Sequence, residues 1–351
     1  MSAGFRAVSW NKAKYVYDGA LIACVALFIG LHMLRGAWAG APRNRPEWDN
    51  LVINAFGSCA FAMLTIILSI GPLARLDRRC LPLLYNRRHF GVATFLVALL
   101  HAIFVYDWFR VQGNQWDLVL ELTNNPMYRS FIGFPRKALG LVSLLLLFLL
   151  AATSHDYWLK VLTPPVWKRL HMLIYLAYGV VVMHVALGVM QGDHDPLIPA
   201  LVGGAFVWLT SLHLIAGWRE RAADRGLSCG NEGWVVVGPP LSIPDKAARI
   251  ISAPGGERIA VFRDGTQIGA LTNLCAHQNG PLGEGRIIDG CVTCPWHGYQ
   301  YRLMDGCAPA PFKDKLSTFR VRLQNGIVQV DPRALAPGTA AAITIDAEAL
   351  N

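Results

Sequence analysis

Long uncharged stretches dominate the first two thirds of the chain. Residues 19–34, 50–74, 89–106, 138–155, 170–192 and 196–218 contain no Asp, Glu, Lys or Arg. Crossing a hydrocarbon core of ~30 Å takes about 20 apolar residues in a helix, so six transmembrane helices are predicted. The first, third and fourth runs are short for the task and need flanking aromatics such as Tyr15, Tyr17, Trp38, Trp108 and Trp158, which suit the headgroup region. From about Gly233 the pattern changes to short runs rich in Val, Ile and Thr, at 234–237, 258–262, 318–323 and 327–330, broken by Gly, Pro and Asp. That is the signature of a small antiparallel β domain. The predicted fold class is therefore a membrane all-α six-helix bundle followed by a small all-β soluble domain. Its expected parts are 1–48 with the first helix, a transmembrane domain at 49–222, a linker at 223–231, the β domain at 232–332 and a tail at 333–351.

Composition agrees with this division. The chain is 54% hydrophobic and only 16% charged, where soluble domains carry about 25% charged residues, which excludes a disordered chain and a plain soluble enzyme. A net charge of +9 would suggest nucleic acid in a soluble protein. Beside long apolar runs it instead marks cationic loops facing anionic lipid, so the expected partner is the bilayer and no nucleic acid. The segments before the first span, between spans two and three, between four and five, and just after the sixth hold fourteen Lys and Arg, against seven in the other connections. By the positive-inside rule both termini, and with them the β domain, are expected in the cytoplasm of a bacterium, the bundle lying in its inner membrane. The first span reads as a retained helix, because Arg35 and the bulky Trp38 sit poorly before a signal-peptidase site.

Histidine is expensive in hydrocarbon and needs a partner there. His101 lies about 20 Å from the cytoplasmic boundary of its span and His184 about 22 Å from that of its own, at 1.5 Å per residue, so the two can meet at one level. Facing neutral imidazoles from two helices are the arrangement that holds a b-type haem in a bundle. His171, about 3 Å deep by the same measure, belongs to any second, inner site, giving one haem or two. A single intramembrane histidine is more often polar glue between helices; three at matched depths favour a cofactor. On an ideal helix the His171 and His184 side chains point about 140° apart, so a local distortion is expected between them, with Gly179 a candidate.

In the β region, Cys275-Ala276-His277 and Cys294-Pro295-Trp296-His297 are separated by sixteen residues. The order Cys, His, Cys, His lets two loops each supply one thiolate and one imidazole, so that two Cys hold one iron of a [2Fe-2S] cluster and two His the other. Structural zinc also takes two Cys and two His, but zinc fingers usually place the Cys pair first. Cys291, three residues before Cys294, is a lesser ligand candidate, and the remaining cysteines are expected as free thiols in a reducing compartment.

Two resemblances follow from these residues. Arg87-Arg88-His89-Phe90-Gly91 with His101, and Trp167-Lys168-Arg169-Leu170-His171 with His184, resemble the ferric reductase-like transmembrane domain over about residues 50–220. The likeness is nearest to the haem-binding membrane subunits of bacterial methionine sulfoxide reductase systems. It implies b-type haem, transmembrane electron transfer, and His101, His171 and His184 as ligands. Two-haem relatives carry a further His on the third helix; here His89 stands nearest, and His213 on the sixth span is the other possible inner partner. Residues 232–332 resemble a complete Rieske domain, with Pro309 and Pro311 in a loop expected to shield the cluster. The quinol-oxidising relatives carry a disulfide where this chain has Gly280 and Trp296, and a Ser hydroxyl where it has Tyr299. With fewer hydrogen bonds to sulfur the potential is expected to be low, as in the ferredoxin or oxygenase type.

No glycine-rich dinucleotide fingerprint or P-loop is found in the sequence. An outside donor is therefore expected, a cytoplasmic reductase or ferredoxin-like protein. Electrons are expected to pass on to a quinone or an extracytoplasmic acceptor. Flow in reverse, from quinol to a soluble partner, and a redox sensor without turnover are the alternatives.

Overall fold

The computed structural model describes residues 12–40, 42, 44–84, 87–111, 119–120, 122–123, 126–130, 133–162, 164–192, 197–225, 233–253, 257–277, 279–296 and 298–346. Its principal helices are α1 (Lys12–Ala39), α2 (Arg45–Leu76), α3 (Arg87–Val111), α4 (Arg136–Ala152), α5 (Pro164–His171), α6 (Leu173–Gly192) and α7 (Leu197–Arg225). Contacts gather the described residues into two compact units, one from 12–71 and 87–212, the other from 72–84 and 213–346.

In the first unit the predicted spans appear as helices, with informative differences at their ends. Helix α2 begins five residues before its uncharged run. Asn44 accepts the Glu47 N–H at 3.1 Å and donates its amide to the Glu47 carboxylate at 3.1 Å, a reciprocal cap of the exposed N–H groups. Among the described residues, five segments are long and apolar enough to cross a membrane: Lys14–Trp38, Arg45–Leu76, Arg87–Val111, Val166–Gly188 and Pro199–Arg221. The expected fourth span is α4, which has only 17 residues. It stops at Thr153, whose hydroxyl turns back onto the Leu149 carbonyl at 2.7 Å while its own carbonyl accepts the Trp167 indole N–H at 2.8 Å.

The expected distortion between His171 and His184 exists, but not at Gly179. It falls at Met172, whose N–H is shared between the Lys168 and Arg169 carbonyls at 3.1 and 3.2 Å, while Tyr175 N–H bonds to the Met172 carbonyl at 3.2 Å. This tightened turn separates α5 from α6 immediately after His171.

The core of this unit joins Leu64 and Leu68 of α2, Leu147 of α4, Ala177 and Tyr178 of α6 and Leu209 of α7. In lipid such packing rests on close fit and internal polar satisfaction, since lipid tails are as apolar as leucine. Accordingly the Thr65 and Ser69 hydroxyls bond back to the Phe61 and Thr65 carbonyls at 2.9 and 2.8 Å. Outward positions such as Ile22, Leu27, Leu31, Leu145 and Leu201 stay exposed in the chain itself, as lipid-facing residues should.

The second unit holds the β domain. One sheet has the order β1 (Val235–Gly238), β10 (Ile327–Val330), β9 (Val321–Gln324). Another runs β11 (Ile343–Thr344), β4 (Gln267–Thr272), β3 (Arg258–Asp264), β2 (Ala247–Ser252), with β8 (Thr318–Phe319) also paired to β4. The third is a meander of β5 (Arg286–Ile288), β6 (Cys291–Thr293) and β7 (Gln300–Arg302). All pairings between these strands are antiparallel. Ile251, Ile259, Val261, Ile268 and Phe319 lie in one fully buried core, and Phe262, Leu271, Leu282, Val292 and Tyr301 lie in the other, which contains Cys275 and Cys294.

The ends of α2 and α7 belong to this second unit. Glu220 of α7 bonds Arg75 of α2 at 3.4 Å and Arg258 of β3 at 3.0 Å, so the β domain is held by an ionic contact in addition to its covalent tether.

One glycine sets the meander. A Cβ on Gly285 would lie 2.1 Å from the Thr293 carbonyl oxygen, where β5 begins to pair with β6. Gly285→Ala is expected to destabilise the β domain by about 1–3 kcal/mol through overpacking against backbone that cannot yield. Thermal unfolding of the domain, followed by loss of its cluster signal, would check this; an unchanged midpoint would refute it.

Candidate redox centres

The two loops that carry the Cys and His pairs are the same turn built twice. In the first, Cys275 N–H bonds to the Gly280 carbonyl at 2.9 Å, and Asn279 N–H bonds to the Cys275 carbonyl at 2.7 Å. In the second, Cys294 N–H bonds to the Tyr299 carbonyl and Gly298 N–H to the Cys294 carbonyl, both at 2.8 Å. The fourth residue after each Cys has positive φ, +55° at Asn279 and +69° at Gly298, the conformation that Asn and Gly tolerate best. Strand β4 delivers the first loop and β6 the second, so the sheets fix where both thiols point.

Cys275 and Cys294 are both buried, 1% and 2% exposed. The loops touch: a Cβ on Gly280 would fall 2.8 Å from Cys294 Sγ and 3.2 Å from the Trp296 ring. His277 stacks on Tyr299 with ring centroids 5.3 Å apart and planes 10° from parallel. His297, the fourth expected ligand, lies outside the described residues. Two soft thiolates with imidazole on adjoining loops, packed into an apolar core, fit an iron–sulfur cluster. Cys291 sits opposite Arg302 in the ladder, at the far end of β6 from Cys294.

Spacing alone misses Tyr301. Tyr299 does not offer its hydroxyl to the loops; it donates to the Asp314 carboxylate. Tyr301, two positions on along β7, instead brings its hydroxyl to 3.4 Å from Cys275 Sγ and accepts the Ala276 N–H at 3.1 Å. Burial, then the neighbouring Asp314 or Cys275, pushes both phenols above their ordinary range, so each remains an O–H donor. Tyr301 thus places at Cys275 a hydroxyl that the substitution at Tyr299 does not account for. A donor to sulfur stabilises the reduced, more electron-rich cluster. At about 1 kcal/mol for the hydrogen bond, Tyr301→Phe is expected to lower the one-electron potential by about 40 mV. Redox titration followed by EPR would show this, and an unchanged or higher potential would contradict the assignment. Phe312, just after Pro311, and Trp296 pack against this core.

In the membrane unit, His101 of α3 and His184 of α6 are placed alike. His101 Nδ1 lies 2.9 Å from the Ile53 carbonyl of α2, and His184 Nδ1 lies 2.7 Å from the Arg136 carbonyl of α4. A carbonyl only accepts, so each Nδ1 carries the proton and each Nε2 keeps a free lone pair, the tautomer a haem iron requires. His171 stacks on Trp167, centroids 3.8 Å apart, with Nδ1 3.0 Å from the Trp167 carbonyl and Nε2 3.5 Å from Ser154 Oγ. His89 Nδ1 is paired with Asp18 of α1 at 2.7 Å, and His213 is half-buried on α7. His32 lies against Phe28 of its own helix; His155 is exposed, and His194 lies outside the described residues.

Helices able to cross a membrane, joined to a β domain that presents cysteine and histidine on paired loops, define a membrane electron-transfer protein. Residues 56–182 match the ferric reductase like transmembrane component family, and residues 233–320 match the Rieske [2Fe-2S] domain. The membrane part is 32% identical over 214 residues to the protein-methionine-sulfoxide reductase heme-binding subunit MsrQ of Xanthomonas campestris pv. campestris (strain B100), spanning 61% of this chain and 88% of that one. It is 28% identical over 202 residues to MsrQ of Caulobacter vibrioides, covering 55% and 84% of the two chains. The β domain is 35% identical over 88 residues to the anthranilate 1,2-dioxygenase ferredoxin subunit of Burkholderia cepacia, covering 25% of this chain and 79% of the relative. The chain belongs to the MsrQ family of heme-binding subunits and carries a Rieske [2Fe-2S] domain after the membrane part.

Proposed function

We propose that this protein carries single electrons across a bacterial inner membrane, from a cytoplasmic reductase or ferredoxin-like donor to a quinone or an extracytoplasmic acceptor. When bound, a [2Fe-2S] cluster on Cys275, His277, Cys294 and His297 and a b-type haem on His101 and His184 supply the one-electron carriers. The observation that carries the reading is the matched pair of imidazoles, each with Nδ1 engaged by a backbone carbonyl and Nε2 free, in one chain with the two cysteine loops.

The chain's own residues do the rest. Tyr301 holds an O–H on Cys275 Sγ; Tyr299 supports the His277 ring and is itself anchored by Asp314. Glu220 keeps the β domain on the ends of α2 and α7 through Arg75 and Arg258. His171 is the ligand for an inner haem, with His213 or His89 as its partner, the latter oriented through Nδ1 by Asp18.

The excess of Lys and Arg in the connections assigned to one side supports a cytoplasmic β domain. Alkaline phosphatase and fluorescent-protein fusions to the C-terminus test this: fluorescence without phosphatase activity is expected, and the reverse pattern would overturn the direction of flow. One observation favours flow from quinol to a soluble partner instead, the Tyr301 hydroxyl, because it raises the cluster's potential. Titrating both centres in one sample decides between them, since a cluster well above the haem would reverse the assignment.

A further inference from the structure

The two intramembrane imidazoles are held by one device used twice. His101 and the carbonyl it engages are 48 residues apart, and so are His184 and its carbonyl. Four residues after each carbonyl, on the same helix, stands a glycine: Gly57 after Ile53 on α2, and Gly140 after Arg136 on α4. In a helix the residue four along is the one whose N–H bonds to that carbonyl. The imidazole therefore takes the second lone pair of an oxygen already used within the helix, and to reach it the ring must lie flat against the next turn of backbone.

Only glycine leaves room for that. A Cβ at position 57 would be 2.9 Å from His101 Cε1 and 3.0 Å from its Nδ1; at position 140 it would be 3.0 Å from His184 Cε1 and 3.1 Å from its Nδ1. These are the bonding nitrogen and the ring carbon beside it, not the end of a flexible chain, so the ring itself would have to give by a few tenths of an ångström against the carbonyl that holds it. By contrast, a Cβ on Gly179, on the same helix as His184, meets nothing within 4 Å.

We infer that Gly57 and Gly140 are positioning residues that set the plane and the basicity of the two imidazoles, and through them the potential of the haem. The inference rests on the reading that His101 and His184 hold that haem. A ring whose Nδ1–H is donated to a carbonyl is a stronger donor at Nε2 and favours the ferric state. Turning the ring off the carbonyl weakens that donation and favours the ferrous state. An added methyl on either glycine also changes the angle between the two ring planes, which ferric low-spin EPR reads directly.

The test uses full-length protein with Gly57→Ala, Gly140→Ala and Gly179→Ala, the Rieske EPR signal serving to normalise protein content. At an ambient potential equal to the wild-type haem midpoint, the ferrous-to-ferric ratio is expected to rise about fivefold in each cradle variant, the factor that corresponds to losing one hydrogen bond. Their ferric EPR signals are expected to shift, with Gly179→Ala unchanged. Loss of haem confined to the two cradle variants supports the same conclusion, since the ring has then been pushed out of coordination. Wild-type potential and EPR in both cradle variants would overturn it, and so would an equal change in Gly179→Ala, which would mark a general effect on helix packing. His101→Ala and His184→Ala separate this from the reading beneath it: if both keep a wild-type haem spectrum, the haem lies elsewhere and the ligand assignment fails.

Discussion

Replacing His184 with alanine is expected to remove the haem spectrum of the membrane unit, lowering haem retained per chain by about 100-fold, the upper limit of the 10- to 100-fold typical of losing an outer-shell partner. Alanine provides no lone pair to hold a haem iron. His101→Ala should act alike, because the two rings are equivalent in tautomer and in their carbonyl partners. The helices should survive. His184 is not among the buried apolar residues of the α2, α4, α6 and α7 core, which is built on Leu64, Leu147, Ala177 and Leu209. Haem content by absorbance, normalised to the EPR signal of the cluster, measures the effect. A variant that keeps full haem would exclude His184 as a ligand.

The second large effect is at Cys294. Cys294→Ser is expected to abolish the iron–sulfur EPR signal while leaving the haem absorbance unchanged. A serine oxygen is a hard, weakly acidic donor that holds iron–sulfur iron poorly compared with thiolate. Because Cys294 is packed in the same core as Cys275, Tyr299, Tyr301 and Val292, loss of the cluster should also loosen the β5–β7 meander and make it sensitive to protease. Loss of the haem spectrum together with the cluster would show instead that the two centres do not load independently.

The paired loops were legible from sequence because their pattern is local: a Cys and a His within four residues, on turns that need only a Gly or Asn at one position. The spans were legible as uncharged runs. Their ends were less so, since charged capping residues such as Glu47 fall outside such a run although they begin the helix. The break at Met172 carries neither Gly nor Pro, and Gly179, the residue composition suggested, is spanned by an unbroken helix. The Tyr301 hydroxyl could have been anticipated from strand alternation after Tyr299, but which ring faces Cys275 depends on the β6–β7 register. The carbonyl partners of His101 and His184 are backbone atoms 48 residues away, and no side-chain pattern announces them. The Glu220 bridge joins residues 145 and 38 positions apart, which only the assembled fold brings together.

The most direct test of one chain acting as a continuous electron conductor is flash reduction of the purified protein, with the cluster and haem followed by absorbance on the same time axis. Electrons delivered to the cluster should redistribute to the haem in a first-order process whose rate does not change on dilution. A reduced cluster beside a persistently oxidised haem, or a rate that falls in proportion to protein concentration, would contradict the account.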